Sequence, residues 1–483
     1  MNLENLMLLS PFIAVALASI AVMLAATLWK TRFPALLITV VGLGAGLAST
    51  GALVGRAPAA VTPLLLINGY SLYFSGLVLA CSLGVALLSM GYFARREQGP
   101  VQFCLFLLLS TLGAMVIASS SHFASLLLGL ELQGAGLYPL AAYARFTPAS
   151  IEAGIKYLVP STVASAFLVF GMALVYADSG VMDFGSIAAI GRAPAMSLLM
   201  TVGLLMILSG AAFKLALVPF HLWTPDVYQG APAPATAFVA TVSKAAVVGL
   251  LMRFFAPFTD HGSNAVAASL WALAIASMFA GNLLALRQEN IKRIIAYSSI
   301  AHMGYVLVAF LCGTALGIVS ATYYVTAYAI TALCALAVVS LLSHAKETES
   351  LADIRGLALR RPLVAFLFAV AMMSLAGIPF TVGFIGKFYV LSAGVQSRVW
   401  PLTFSLAVSS AIGLYYYLRV VIVMYRHPAP ASEKDAGPSA MAGMSRPLSA
   451  AGMIALGTAG VLLVCFGVYP GPLFDFIAWM VGS

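Results

Sequence analysis

"AAFKLALVPFHLW", residues 211–223, places Lys214 and His221 inside a run that otherwise reads as membrane interior. A lysine at the centre of a bilayer costs about 2.5–3.5 kcal/mol on insertion scales, so a partner or a function must offset it. Pro219 removes a backbone hydrogen bond and breaks the helix, and carbonyls freed at membrane depth are tolerated only beside protein or a water-filled cavity. The segment has an echo: "LALVPF" (215–220) returns as "LAGIPF" (375–380), again with a Pro-Phe pair and a nearby lysine, Lys387. Both segments predict discontinuous helices.

The 483-residue chain is 62% hydrophobic and only 8% charged, a composition that no soluble globular domain of this length sustains. Apolar runs of roughly 20 residues, enough to cross ~30 Å of hydrocarbon, recur along it. There are fourteen, near 6–28, 33–54, 72–94, 101–118, 122–143, 153–176, 197–221, 233–255, 264–286, 293–312, 316–343, 362–395, 402–424 and 448–469. The expected fold class is all-α integral membrane, with fourteen transmembrane helices and breaks in spans seven and twelve. Those two spans are an odd number of crossings apart, so their chain directions are opposite. That is the arithmetic of an inverted-topology repeat whose broken helices line an ion pathway.

One polytopic domain over 1–483 is expected. Its parts are three N-terminal helices (1–100), a first repeat (101–260), an inverted second repeat (261–425), and a loop with the last helix (426–483). The stretch "HPAPASEKDAGPSAMAGMSRP" (427–447) reads as a mobile cytoplasmic loop, and "SHAKETESLADIRGLALRRP" (343–362) as an anchoring loop. The first run follows Asn2, Glu4 and Asn5 and lacks a basic leader, which reads as an uncleaved span.

The net charge of +9 reflects where the basic residues lie. Loops after odd-numbered spans hold sixteen Lys and Arg, and loops after even-numbered spans hold four. This positive-inside bias points to a bilayer and not to nucleic acid, and puts both termini on the periplasmic side. The five cysteines stand singly, without the spacing of an iron–sulfur or zinc site, and read as small buried hydrophobes. "GLGAG" (42–46) lies inside span two and reads as close helix packing, not nucleotide binding.

The titratable groups expected inside the membrane are Glu131, Lys214, His221, Lys244, His302 and Lys387. Each has a plain alternative. Buried histidines often satisfy one hydrogen bond, and a lysine or arginine near a helix end extends to the headgroups, which is the expectation for Arg419. Lys244 sits mid-span among small residues, where that escape is hardest. Three lysines with one glutamate would repel a metal cation, whereas a proton path needs groups that each take and release one proton. Burial and a carboxylate act in opposite senses on a lysine, so moving the carboxylate switches it. Glu131 is the mid-membrane carboxylate available for that gating.

The segments "AAFKLALVPFHLWTPDVYQGAP" (211–232), "SKAAV" (243–247), "AYSSIAHMGYVL" (296–307) and "GIPFTVGFIGKFYVL" (377–391) resemble the antiporter-like membrane subunits of NADH:quinone oxidoreductase, respiratory complex I. "HLWTPDVYQGAP" is most similar to the bacterial subunit N type, and Lys387 agrees, since the M type usually carries glutamate there. The resemblance implies a fold of two inverted five-helix repeats with broken helices seven and twelve, and a proton-translocating, non-redox subunit. In it Glu131 is the gating carboxylate, Lys214 its partner, Lys244 the central relay and Lys387 the exit-side group. His302 and Tyr305 lie along the same path, and His221 shares the motif without a step of its own. It implies no cofactor in this chain, with NADH, FMN, iron–sulfur clusters and quinone in partner subunits. It also implies K-type and M-type neighbours in the bacterial cytoplasmic (inner) membrane. The rival expectations are a cation/proton antiporter or membrane-bound hydrogenase subunit on the same scaffold, and a passive scaffold, which leaves three mid-membrane lysines unexplained.

Overall fold

The computed structural model describes residues 3–28, 33–56, 58–94, 96, 99–191, 196–259, 265–343, 347–427 and 448–482. Among these, twelve helices are long and apolar enough to cross a membrane. Two more crossings complete the expected fourteen. Phe123–Ala141 is less apolar because it carries Glu131, Gln133 and Pro139. Span twelve is split into Pro362–Ala376 and Val382–Gln396. Span seven is likewise split, into Leu198–Leu215 and Trp223–Gly230. Span eight runs continuously from Ala233 but passes through a π-helical turn, Val239–Ser243, immediately before Lys244.

Three elements were not expected: a small hairpin (Ala59–Thr62 with Leu65–Ile67), a short helix Phe184–Gly191, and a further helix Gly471–Gly482 after span fourteen. The stretch 427–447 lies outside the described residues except for His427. Cys465 corrects the expectation of five buried thiols, since it is exposed while Cys81, Cys104, Cys312 and Cys334 are buried.

Loop contacts follow the parity of the spans. After even spans, Leu65 pairs with Ser120, His122 with Asp183, and the Arg253 guanidinium donates to the Ser120 carbonyl and to Asn68 Oδ1. After odd spans, Asn290 pairs with Ser350, and Arg96 and Lys292 both meet Glu347, at 3.1 and 2.7 Å. One miscounted span would mix the two sets. Arg419 does not extend to headgroups as expected. Its guanidinium donates to the Leu286 and Gln288 carbonyls at 3.2 and 2.9 Å, just past the end of span nine, where a cation complements the helix dipole.

Glu347 lies outside the spans, and its environment sets a pH dependence. Burial pushes its carboxyl up, but Lys292, the Tyr92 hydroxyl and Arg96 together hold it below the usual value of 4.5. A carboxylate lowered by folding contributes stability that is present above the unfolded value and lost as pH falls through the folded one. The thermal unfolding midpoint in detergent should therefore fall more steeply below pH 4.5 for the native chain than for Glu347→Gln. Equal acid sensitivity in the two would show that the cluster adds nothing.

The repeat is visible in close helix contacts at glycines. A Cβ at Gly113 would lie 2.4 Å from the Gln133 backbone nitrogen and 2.8 Å from the Gly129 carbonyl oxygen. A Cβ at Gly281 would lie 2.7 Å from the Ala301 nitrogen and 2.8 Å from the Tyr297 oxygen. A Cβ at Gly136 would lie 2.6 Å from the Phe106 carbonyl oxygen, and one at Gly304 would lie 2.9 Å from that of Ala274. Every residue of the second set lies the same number of positions beyond its counterpart. Spans four and five are thus packed as spans nine and ten are.

Candidate functional site: a buried line of lysines, hydroxyls and one histidine

Both breaks end the same way. The helix Leu198–Leu215 stops at Ala216 (φ 60°), with the Leu217 N–H donating to the Ala212 carbonyl at 2.9 Å. Pro362–Ala376 stops at Gly377 (φ 83°), with the Ile378 N–H donating to Met373 at 3.0 Å. A left-handed residue followed by a bond back over five positions is a Schellman-type cap, and it satisfies carbonyls that a membrane cannot. The remaining carbonyls take side chains. The Trp223 indole donates to the Phe213 carbonyl at 3.1 Å. Lys387 donates to the Leu375 and Ala376 carbonyls at 3.0 and 2.9 Å and to Ser410 Oγ at 2.7 Å. The lysine after the second break thus sits on the negative end of the helix before it.

Lys214 is 3% exposed and donates to Ser161 Oγ at 2.9 Å, which is 2.8 Å from the Tyr138 hydroxyl. Counted back from the proline, Ser374 is its counterpart in span twelve, and Ser374 bonds to Thr331 Oγ1 at 3.0 Å. The same cross-helix bond is made in both halves, with a cation in only one.

Glu131 departs from expectation. It is exposed on the outer side of its helix and forms no ion pair with Lys214 within 4.0 Å. The inward polar residue of span five is Gln133, fully buried, with Ser243 donating to its Oε1 at 3.5 Å. Residues two apart on a helix point roughly 200° apart, so "ELQ" cannot send both side chains inward. Sequence reasoning selected the charged one and missed Gln133.

Lys244, 1% exposed, donates to Ser299 Oγ at 2.7 Å, and Ser299 lies 3.5 Å from the Tyr228 hydroxyl. One turn along the same helix, His302 is held at both ring nitrogens, by the Tyr324 hydroxyl at 2.8 Å and the Tyr417 hydroxyl at 3.1 Å. Tyr417 continues to Ser298. The Tyr305 hydroxyl receives Asn282 Nδ2 at 2.8 Å, and Lys387 Nζ lies 5.4 Å from the centre of the Tyr305 ring. Lys244, His302, Tyr305 and Lys387 therefore form one neighbourhood. Tyr157 has its ring 5.4 Å from that of Tyr138, and its buried hydroxyl faces Ser243, the residue before Lys244. His221 is buried in the break, apart from this set, and among the described residues its Nδ1 has no hydrogen-bond partner. The hydroxyl groups that join the charges, Ser161, Ser299, Tyr138, Tyr324 and Tyr417, were all missed from sequence.

Comparison with known proteins bears on the whole chain. A family model described as NADH:quinone oxidoreductase/Mrp antiporter, transmembrane, matches residues 120–413, which contain both breaks. NADH-quinone oxidoreductase subunit N of Methylococcus capsulatus is 44% identical over 483 residues, covering 99% of this chain and 96% of that protein. The chain belongs to this family. The subunit N of Ectopseudomonas mendocina is 42% identical, covering 98% of this chain and 96% of that protein. A chain of Thermus thermophilus respiratory complex I superposes with a TM-score of 0.81 at 32% identity, covering 97% of this chain and 99% of that one. A chain of the Mrp complex from Dietzia shares the fold alone, with a TM-score of 0.84 at 19% identity over 100% and 97% of the two chains. The full-length matches carry subunit N membership through the three N-terminal spans and the last helix, where the motifs themselves are loose.

Proposed function

We propose that this chain is a proton-translocating membrane subunit of a complex I-type NADH:quinone oxidoreductase and carries H⁺ through the relay Glu131, Lys214, Lys244, His302, Tyr305 and Lys387. The observation that carries the reading is the state of the buried amines. Among the described residues none of the three lysines has a carboxylate within 4.0 Å; each is held by hydroxyls or carbonyls. A buried charge without a counter-ion is costly, so a purely structural lysine would be paired. A hydroxyl partner can instead accept from an ammonium or donate to a neutral amine, so the group is held in either protonation state.

Glu131, exposed on the outer side of span five, is placed to bring a neighbouring subunit's influence to Lys214. In this reading its neighbours in the complex are of the K and M types. Electron transfer from NADH through FMN and iron–sulfur clusters to quinone belongs to partner subunits, which makes this chain the non-redox, energy-transducing part. The relay divides between the halves 101–260 and 261–425. The sorting of basic loops puts the odd-loop face in the cytoplasm of a bacterial inner membrane and the termini in the periplasm.

In the intact complex reconstituted in vesicles, Lys214→Ala and Glu131→Ala should each lower H⁺ translocated per electron pair, with Lys214→Ala the stronger. Unchanged stoichiometry and turnover in both would remove this pathway.

A further inference from the structure

Trp223–Gly230, the part of span seven beyond the break, is an eight-residue helix. A helix this short does not hold itself, so its orientation is set by what grips it. The first repeat grips its start: the Trp223 ring stacks on Tyr157 with centroids 4.6 Å apart, and its indole reaches the Phe213 carbonyl at 3.1 Å. The second repeat grips its end. Arg293 donates to Asp226 Oδ1 at 2.7 Å and to Gln229 Oε1 at 3.1 Å. Lys292, its side chain fully buried, donates to the Gln229 and Ala231 carbonyls at 3.3 and 2.9 Å and is neutralised by Glu347 at 2.7 Å. Asp226 joins the two systems, because its other oxygen receives Lys156 of span six at 2.7 Å. Lys292 and Arg293 open the helix Ile291–Phe310, which also carries Ser299, His302 and Tyr305.

We propose that Asp226, Arg293 and Lys292 are positioning residues: they fasten the segment beyond the span-seven break to span ten, and so keep Lys214 of the first repeat in register with the Lys244–Ser299 pair and His302. The break itself is tied to span nine by the Val218 N–H donating to Ser277 Oγ at 2.9 Å; the clamp adds the tie to span ten, and it uses one carboxylate shared between cations of opposite repeats. The inference rests on the relay reading, and the experiment separates the two.

Asp226→Asn, Asp226→Glu and Arg293→Lys would be made in the intact complex, with complex content, quinone-reductase turnover and H⁺ per electron pair measured per assembled complex in vesicles. Asp226→Asn leaves Arg293 without its carboxylate and Lys156 paired with Glu152 alone, at 2.6 Å, so nothing anionic joins the two cations. It should cause a severalfold loss of turnover and a lower H⁺ ratio, whereas Asp226→Glu, which keeps the shared charge, should recover most of both. Arg293 reaches Asp226 and Gln229 through one nitrogen, Nη1, while its Nε donates to Gln288 Oε1 at 3.3 Å; Arg293→Lys keeps the charge on Asp226 but loses that brace, and should lose part of the H⁺ ratio even if Asp226→Asn fails to assemble. A role confined to folding would lower complex content and leave the ratio per complex intact; that result, in Asp226→Asn or, where it does not assemble, in Arg293→Lys, overturns the proposal. If Lys214→Ala pumps normally, the relay reading falls; if Lys214→Ala fails while the clamp variants pump normally, only the clamp falls.

Discussion

Replacing Lys244 by methionine in the intact complex should leave the complex assembled, stop proton transfer through this subunit and reduce quinone-reductase turnover about tenfold or more, the scale on which a positioned proton-transfer group acts. Lys244 is 1% exposed, and among the described residues its hydrogen bond is to Ser299, whose hydroxyl also donates to the Ala296 carbonyl at 2.7 Å. Removing the amine therefore leaves no orphaned donor, and methionine fills nearly the same volume, so the loss is chemical and not a collapse of packing. Lys244→Arg sharpens the result. Arginine keeps the positive charge but cannot release its proton in a protein, so it too should fail to pump. Vesicle acidification per electron pair and native-gel content of the complex are the two readouts. Wild-type pumping by Lys244→Arg would mean that the charge matters and proton exchange does not.

The sequence carried the spans, their parity and both breaks because those are imposed by the solvent. Hydrocarbon thickness fixes run length, the orientation rule sorts Lys30-like from Arg192-like positions, and a proline at membrane depth cannot be silent. It carried the buried lysines for the same reason. It did not carry the hydroxyls that join them. Serines and threonines in membrane helices commonly bond the carbonyl four residues back, as Thr111 and Thr331 do here, so Ser161 and Ser299 look no different in the sequence. Tyr324 and Tyr417 read as ordinary aromatics until the fold places them on either side of His302. Helix rotation was also hidden, because a span apolar on every face does not say which way "ELQ" turns. Glu131 was expected inside for that reason, and Gln133 is the residue found there.

Gly113→Leu and Gly281→Leu should each prevent assembly of the subunit, and to the same degree, because the two positions are one contact used twice. At Gly113 the first side-chain carbon would fall 2.4 Å from the backbone of Gln133, and at Gly281 it would fall 2.7 Å from that of Ala301, so the neighbouring helix itself must move. Overpacking of this kind typically costs about 1–3 kcal/mol where side chains can yield, and backbone cannot yield as they do. Each displacement also acts on function-bearing helices: Gln133 lies on span five, and Ala301 is adjacent to His302. Gly457→Leu is the matched control, since nothing lies within 4 Å of the carbon it would add. Native-gel content of the complex is expected to be near zero for the first two and near wild type for the third. Normal assembly of either buried variant would show that the tight contact is dispensable there. Failure of one with tolerance of the other would show that the two halves do not depend on the same packing, although they share its geometry.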